Sequence, residues 1–192
     1  VRVAWLFEEL GLTYKIQKFD LGAQEMRSPE YKKLHPMGRV PTLEDGSTTI
    51  FESGAIIQYV LEKNKNHKLI PSSDNPEYAN CLQWFHYAEG MIMPPMNIIV
   101  VETILLPPER SNETNVKRAT KLLGQMLSAV DQHLVGRDYL AGEFSAADLM
   151  LGHSCFMANR LGCVPNEMEH IKKYVSNIES RPAFQKAITL GE

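Results

Sequence analysis

Apolar positions recur at helical spacing from the first residues. Trp5, Leu6 and Leu10 fall on one face and Gly11 follows as a helix-ending residue, so residues 1–10 read as an amphipathic helix. Nothing that could cap it precedes it, so the chain is expected to open inside a helix. Residues 13–19 alternate, with Tyr14, Ile16 and Lys18 facing one way, which is the pattern of a strand. Residues 20–28 are polar and loop-like. Residues 29–34 suit a short helix ended before Pro36, because the residue ahead of a proline is pushed out of the helical region. A turn-rich run, Pro36-Met-Gly-Arg-Val-Pro41, leads to two short strands at residues 42–44 and 48–51, joined through Asp45-Gly46. Ser53 then sits where a helix cap belongs, ahead of Ile56, Ile57, Tyr59, Val60 and Leu61.

From Pro76 onward the strand pattern disappears. Helical periodicity runs through about 77–106, 115–134, 146–161, 167–180 and 182–190. The shift near Asn75 predicts two domains: an α/β domain over residues 1–66 and an all-helical domain over residues 76–192. Pro94-Pro95 removes two backbone donors inside a helical pattern, so a kink is expected there. Ser145-Ala-Ala-Asp148 has capping-box spacing, and Phe144 and Leu149 are placed as a hydrophobic staple. Ser145 and Asp148 are therefore structural, and loss of such a cap costs about 1 kcal/mol.

Composition narrows the function. The 192 residues are 44% hydrophobic and 22% charged, enough apolar content for a packed core. A net charge of −3 supplies no basic footprint for nucleic acid. The longest apolar neighbourhood, residues 91–106, is interrupted by Pro94, Pro95, Asn97, Glu102 and Thr103, so no membrane span is expected. The opening residues lack a basic leader and a cleavage site. Cys81, Cys155 and Cys163 are too few and too unpatterned for a disulfide framework or a metal site, which points to a reducing, cytoplasmic setting. Gly152-His-Ser-Cys-Phe156 departs from a nucleophile elbow at its last position and reads as mid-helix. There is no Cys-x-x-Cys pair and no glycine-rich phosphate loop.

The run Leu34-His-Pro-Met-Gly-Arg-Val-Pro-Thr-Leu-Glu-Asp-Gly46, followed by Phe51-Glu-Ser-Gly-Ala-Ile-Ile57, resembles the glutathione site of glutathione transferases. Three later segments are similar to the helical domain of that family, in a branch shared by bacteria and fungi. They are Tyr87-Ala-Glu-Gly-Met-Ile-Met-Pro-Pro95, Phe144-Ser-Ala-Ala-Asp148 and Ser180-Arg-Pro-Ala-Phe184. The resemblance covers nearly the whole chain. It implies a thioredoxin-like glutathione-binding domain with a mixed sheet, then an all-α domain. It also implies a first strand and a glutathione-activating residue upstream of Val1, outside the given sequence.

The implied activity is binding of glutathione as a thiolate and its conjugation to small hydrophobic electrophiles, with peroxide reduction as a related reaction. Glutathione is the co-substrate and no metal is needed. Ser53, at a helix N-terminus, suits the γ-glutamyl carboxylate and Glu52 the γ-glutamyl ammonium. Taken alone, the pair reads as a cap and a first-turn charge; the Val40-Pro41 turn and hairpin ahead of it favour the ligand role. By the resemblance Pro41 is cis, and the Val40 backbone pairs with the cysteinyl unit like a rung of antiparallel sheet. Arg39, His35 or Arg27 would meet the glycyl carboxylate, Arg39 best because it stays charged and can bind bidentately; each taken alone reads as a solvated surface charge. His35 could simply close the short helix before Pro36. Tyr87 and Met91, with the neighbouring methionines, are candidates for an electrophile pocket between the domains, although their spacing also suits helix core. The family also implies a homodimer, through helices at residues 53–63 and 77–94. The competing class is a non-catalytic module with the same fold, in binding or regulation, against which the Glu52-Ser53 pair argues.

Overall fold

The computed structural model describes residues 1–20, 22–65 and 68–191, so Asn66, the end of the first expected domain, lies outside the described residues. The chain divides into two units, Val1–His67 with Pro182–Glu192, and Lys68–Arg181.

In the first unit, helix α1 (Arg2–Leu10) buries Trp5 and Leu6 completely. It ends where Gly11 takes φ 63°, a left-handed geometry that returns the Gly11 and Leu12 N–H groups to the Glu8 and Phe7 carbonyls. Residues 13–19 form no strand. Alternation makes a strand only where a neighbour completes the hydrogen bonds, and among the described residues none does. Ile16 is accordingly 48% exposed. Tyr14 is instead held to α1, its ring 5.0 Å from that of Phe7 and its hydroxyl donating to Glu8 at 2.6 Å.

A 3-10 turn at Gln24–Arg27 precedes helix α2 (Pro29–Leu34). Ser28 caps α2 by accepting the Tyr31 N–H, and His35 closes it. Strands β1 (Thr42–Asp45) and β2 (Thr48–Phe51) pair antiparallel, Thr42 opposite Phe51. The expected mixed sheet is therefore, among the described residues, a two-stranded antiparallel one. Helix α3 (Ser53–Lys63) follows at once. Its residues Ile56, Ile57, Val60 and Leu61 are all buried within this chain, which leaves little apolar face on α3 for the dimer contact expected there.

The final helix, α9 (Pro182–Gly191), belongs to this first unit, although periodicity grouped it with the helices before it. The reason is local packing. Phe184 meets Trp5 edge to face at 4.7 Å, and Lys186 pairs with Glu8 at 2.7 Å. That pairing and the Tyr14 hydroxyl hold the Glu8 carboxyl below its usual value.

The second unit is helical. Tyr78–Leu105 is one uninterrupted run built from α4 (Tyr78–Tyr87), a π-helical segment (Ala88–Ile92), α5 (Met93–Val100) and a second π segment (Val101–Leu105). At Pro94-Pro95, where a kink is expected, the helix carries a wider π turn just ahead, and Pro94 lies in the opening turn of α5, where a missing donor matters least. The resulting 28-residue helix has a mean hydropathy of 1.3 over its most apolar window, which by length and composition alone is enough to cross a membrane, a trait that the core helices of soluble proteins share. Helix α6 (Glu113–His133), capped by Asn112, packs on α5 and supplies the fully buried Leu123, Leu127 and Val130. Helices α7 (His153–Arg160) and α8 (Glu169–Glu179) complete the unit.

A π-helical segment, Asp148–Gly152, leads into α7. The Asp148 carboxylate collects four donors: Ser145 N–H at 2.8 Å, Ser145 O–H at 2.9 Å, Leu140 N–H at 3.1 Å and Tyr174 O–H at 2.8 Å. In a capping box the serine hydroxyl accepts; here it donates to the carboxylate, and the Asp148 N–H bonds to the Ser145 carbonyl. Complete burial pushes the Asp148 carboxyl up to about 6 against the opposing pull of its donors. Phe144, the expected staple, lies under the Arg181 guanidinium, 3.6 Å from its ring centre.

Candidate functional site

The hairpin register builds the site. With Thr42 opposite Phe51, the segments Val40-Pro41 and Glu52-Ser53 leave the two strands at the same end. The Val40–Pro41 peptide is cis. Val40 is 55% exposed, and its N–H and C=O form no hydrogen bond to the described residues. Gly38 sets up this turn. It adopts φ 60°, and a Cβ there would overlap the Met26 carbonyl, so only glycine lets the loop close onto the 3-10 turn.

Glu52 is the N-cap of α3 and takes φ 74°, ψ 116°. It is the non-glycine residue with positive φ in the described chain. Such a conformation costs on the order of 1–3 kcal/mol and persists where the surroundings impose it. Its effect is positional: Ser53 becomes the first helical residue rather than the cap expected from sequence. Its N–H therefore lies in the first turn of α3, at the positive end of the helix dipole, where the helix itself supplies no acceptor.

The cations divide sharply. His35 is 95% buried, its Nδ1 accepts the Met37 N–H at 3.2 Å, and its ring lies 4.5 Å from that of Phe51. It braces the turn and is poorly placed to bind a carboxylate through Nδ1. Arg39 and Arg27 are exposed, and the Arg39 carbonyl accepts the Tyr31 hydroxyl at 2.8 Å. The residue that sequence reasoning missed is Arg2. It is 92% buried, and its Nη1 donates to Ser53 Oγ at 3.2 Å, joining the first turn of α1 to that of α3. A cation in the first turn of a helix opposes the dipole, which was the available signal that Arg2 has another task.

The residues thus brought together are Arg2, His35, Val40, Pro41, Glu52 and Ser53. Chemically they offer N–H and O–H donors for a carboxylate, a carboxylate for an ammonium, and an open backbone pair for an extended peptide. That set fits a small zwitterionic peptide.

The other candidates lie in the helical unit. The Tyr87 hydroxyl donates to the Met126 carbonyl at 3.1 Å, and burial raises its phenol, so this group already serves internal packing. Met91 is 40% exposed. Cys155 is buried and raised to about 12 by burial, which keeps it a thiol. Among the described residues no group of His, Cys, Asp and Glu could hold a metal ion.

Residues 1–62 match the family described as "Glutathione S-transferase, N-terminal domain", and residues 92–182 match "Glutathione S-transferase, C-terminal domain". A rice protein (Oryza sativa subsp. japonica) named a probable glutathione S-transferase is 30% identical, over 98% of this chain and 90% of its own. Among solved structures, glutathione transferase F7 from Populus trichocarpa superposes with a TM-score of 0.87 at 30% identity, covering 100% of this chain and 93% of that one. A glutathione transferase from Pseudomonas putida, solved with glutathione disulfide bound, gives a TM-score of 0.87 at 25% identity, covering 100% and 86%.

Proposed function

Because this chain belongs to the glutathione S-transferase family, we propose that it binds glutathione as a thiolate and conjugates it to small hydrophobic electrophiles. The observation that carries this reading is the strained Glu52, which sets Ser53 as the first residue of α3. The Ser53 N–H and hydroxyl take the γ-glutamyl carboxylate, and Glu52 takes the ammonium. The Val40 backbone pairs with the cysteinyl unit, and Arg39 reaches the glycyl carboxylate. His35 supports the turn from beneath.

The reaction needs the thiol ionised near neutral pH. A free thiol has a pKa of about 8.5, and hydroxyl donors or a helix N-terminus lower it. The positive end of the α1 dipole is assigned part of this push. The thiolate then attacks an electrophilic carbon, forming the thioether as the leaving group departs; reduction of a peroxide is the related reaction. Met91 and Tyr87 contribute apolar surface to the electrophile site. A detoxifying role in the cytoplasm follows from such chemistry.

We also assign a homodimer, with the exposed apolar face of α5, the π segment after it and α6 as its contact. Ile98, Val101, Ile104, Leu105 and Leu122 are each more than 40% exposed and lie on neighbouring helices. Glu102, Arg118 and Lys121 flank the groove among them, giving both charge signs on one face, which lets the patch pair with itself across a two-fold axis. A second copy covering this face accounts for the low burial, 28%, of the most apolar window of Tyr78–Leu105.

The test is calorimetric titration with glutathione of the full chain and of a Glu52→Ala, Ser53→Ala variant. Binding between micromolar and millimolar, about −8 to −4 kcal/mol, is expected, and its disappearance in the variant. Formation of a thioether with an aryl halide, followed by absorbance, tests the conjugation step. A folded protein that neither binds glutathione nor forms the thioether refutes the reading.

A further inference from the structure

We propose that Arg27, beside Arg39, forms a subsite for a second carboxylate, so that the site takes γ-glutamyl-cysteinyl peptides with an acidic third residue in preference to neutral ones. This rests on the reading of the Val40 backbone and Arg39 given above.

Strand register supplies the first argument. Where a ligand pairs antiparallel with Val40, the residue after its cysteine stands opposite the residue before Val40, which is Arg39. Next in that direction comes Gly38. A Cβ on Gly38 would overlap the Met26 carbonyl and stand 3.9 Å from the Arg27 Cα, so the two arginines ride on backbone segments in contact. The Tyr31 hydroxyl, donating to the Arg39 carbonyl at 2.8 Å, holds α2 with its Lys32 and Lys33 to the same turn. The third residue of the ligand therefore lies among cations. In glutathione that residue is glycine, which has no side chain to meet them.

Charge is the second argument. Residues 25–39 carry Arg27, Lys32, Lys33 and Arg39 against Glu25 and Glu30, a net of two positive charges in a chain whose net charge is −3. His35 adds none, since its Nδ1 accepts a hydrogen bond. All six charged residues are exposed, and none forms an ion pair with a described residue. The glycyl carboxylate of glutathione offsets one of the two positive charges. A side-chain carboxylate on the third residue offsets the other, and a guanidinium can grip it through two parallel N–H donors. Exposure of Arg27 and Arg39 leaves room for that side chain.

The experiment compares glutathione, γ-glutamyl-cysteinyl-glutamate and γ-glutamyl-cysteinyl-glutamine. The last two have nearly the same shape and differ by one charge, so the ratio of their affinities isolates the second carboxylate. Binding is measured by calorimetry on the full chain at low ionic strength, where exposed charges are least screened. The wild type is expected to bind the glutamate peptide roughly three- to tenfold more tightly than the glutamine peptide, the scale of an exposed charge pair reinforced by a neighbouring cation. Arg27→Gln should bring the two affinities close together, and Arg27→Lys should keep most of the preference. Circular dichroism checks that both variants fold.

Equal affinities in the wild type, or a preference that Arg27→Gln leaves intact, overturn the proposal. A wild type that binds none of the three peptides refutes the glutathione reading itself, a result distinct from one that binds glutathione and treats the other two alike.

Discussion

Asp148 offers a perturbation whose size can be worked from the structure. Its carboxyl is completely buried and titrates at about 6 instead of the ordinary 3.8, because burial penalises the charged form more than four donors repay it. The sign follows. At a pH below 3.8 the group is protonated both folded and unfolded, and it contributes no loss. As pH rises from 3.8 to about 6, the unfolded chain releases the proton while the folded chain holds it, so stability falls. Above about 6 both forms are ionised and the loss is constant, about 3 kcal/mol for the gap between the two values.

Other carboxyls run the opposite way. Glu77, bonded by Asn80 and Arg137, and Glu102, bonded by Asn115, are held below their usual value, so their stabilisation is lost as pH falls. Asp148→Asn isolates the Asp148 effect, since these groups remain and cancel in the difference. The variant should be the less stable at every pH, because an amide cannot accept all four donors. The assay is urea unfolding of both proteins at fixed concentration from about pH 4.5 to about pH 7.5. The stability advantage of the wild type should shrink by about 2 kcal/mol over that range, because about 1 of the roughly 3 kcal/mol is already lost by about pH 4.5. An advantage that stays constant would refute the reasoning, since it would mean that the donors fully offset burial.

Two further outcomes are expected. Glu52→Gly relieves the positive φ at residue 52, so it should raise stability by about 1 kcal/mol in denaturant unfolding while removing the carboxylate that meets the ligand ammonium; a variant that gains stability and keeps full glutathione affinity would exclude Glu52 from binding. Ile98→Glu places a charge on the exposed face of α5, and light scattering should then report a monomer where the wild type gives a dimer; an unchanged mass would assign the contact elsewhere.

Sequence patterning by itself was sufficient for the elements whose determinants are local. The helices of the second unit follow from apolar spacing, the hairpin from Asp45-Gly46 between two short alternating runs, and the start of α3 from the apolar positions after Ser53. The residues at the mouth of the hairpin were legible for the same reason: Val40-Pro41 and Glu52-Ser53 are separated by a fixed number of paired strand residues. Tertiary structure decided whatever depends on a distant neighbour. Residues 13–19 have strand alternation, yet a strand is a property of two segments, and no described partner completes it. The prolines at 94 and 95 mark an irregularity in the helix, but that it takes the form of a π-helical turn ahead of them is not written in their spacing. Helix α9 has the same local pattern as the helices before it, and its contacts with α1, Phe184 on Trp5 and Lys186 on Glu8, assign it to the first unit. Arg2 is the sharpest instance. Fifty-one positions separate it from Ser53, and nothing in local periodicity reports a hydrogen bond across that distance. Periodicity records which face of a segment is apolar; the partner that covers the face, or meets a buried charge on it, is fixed only when the chain folds.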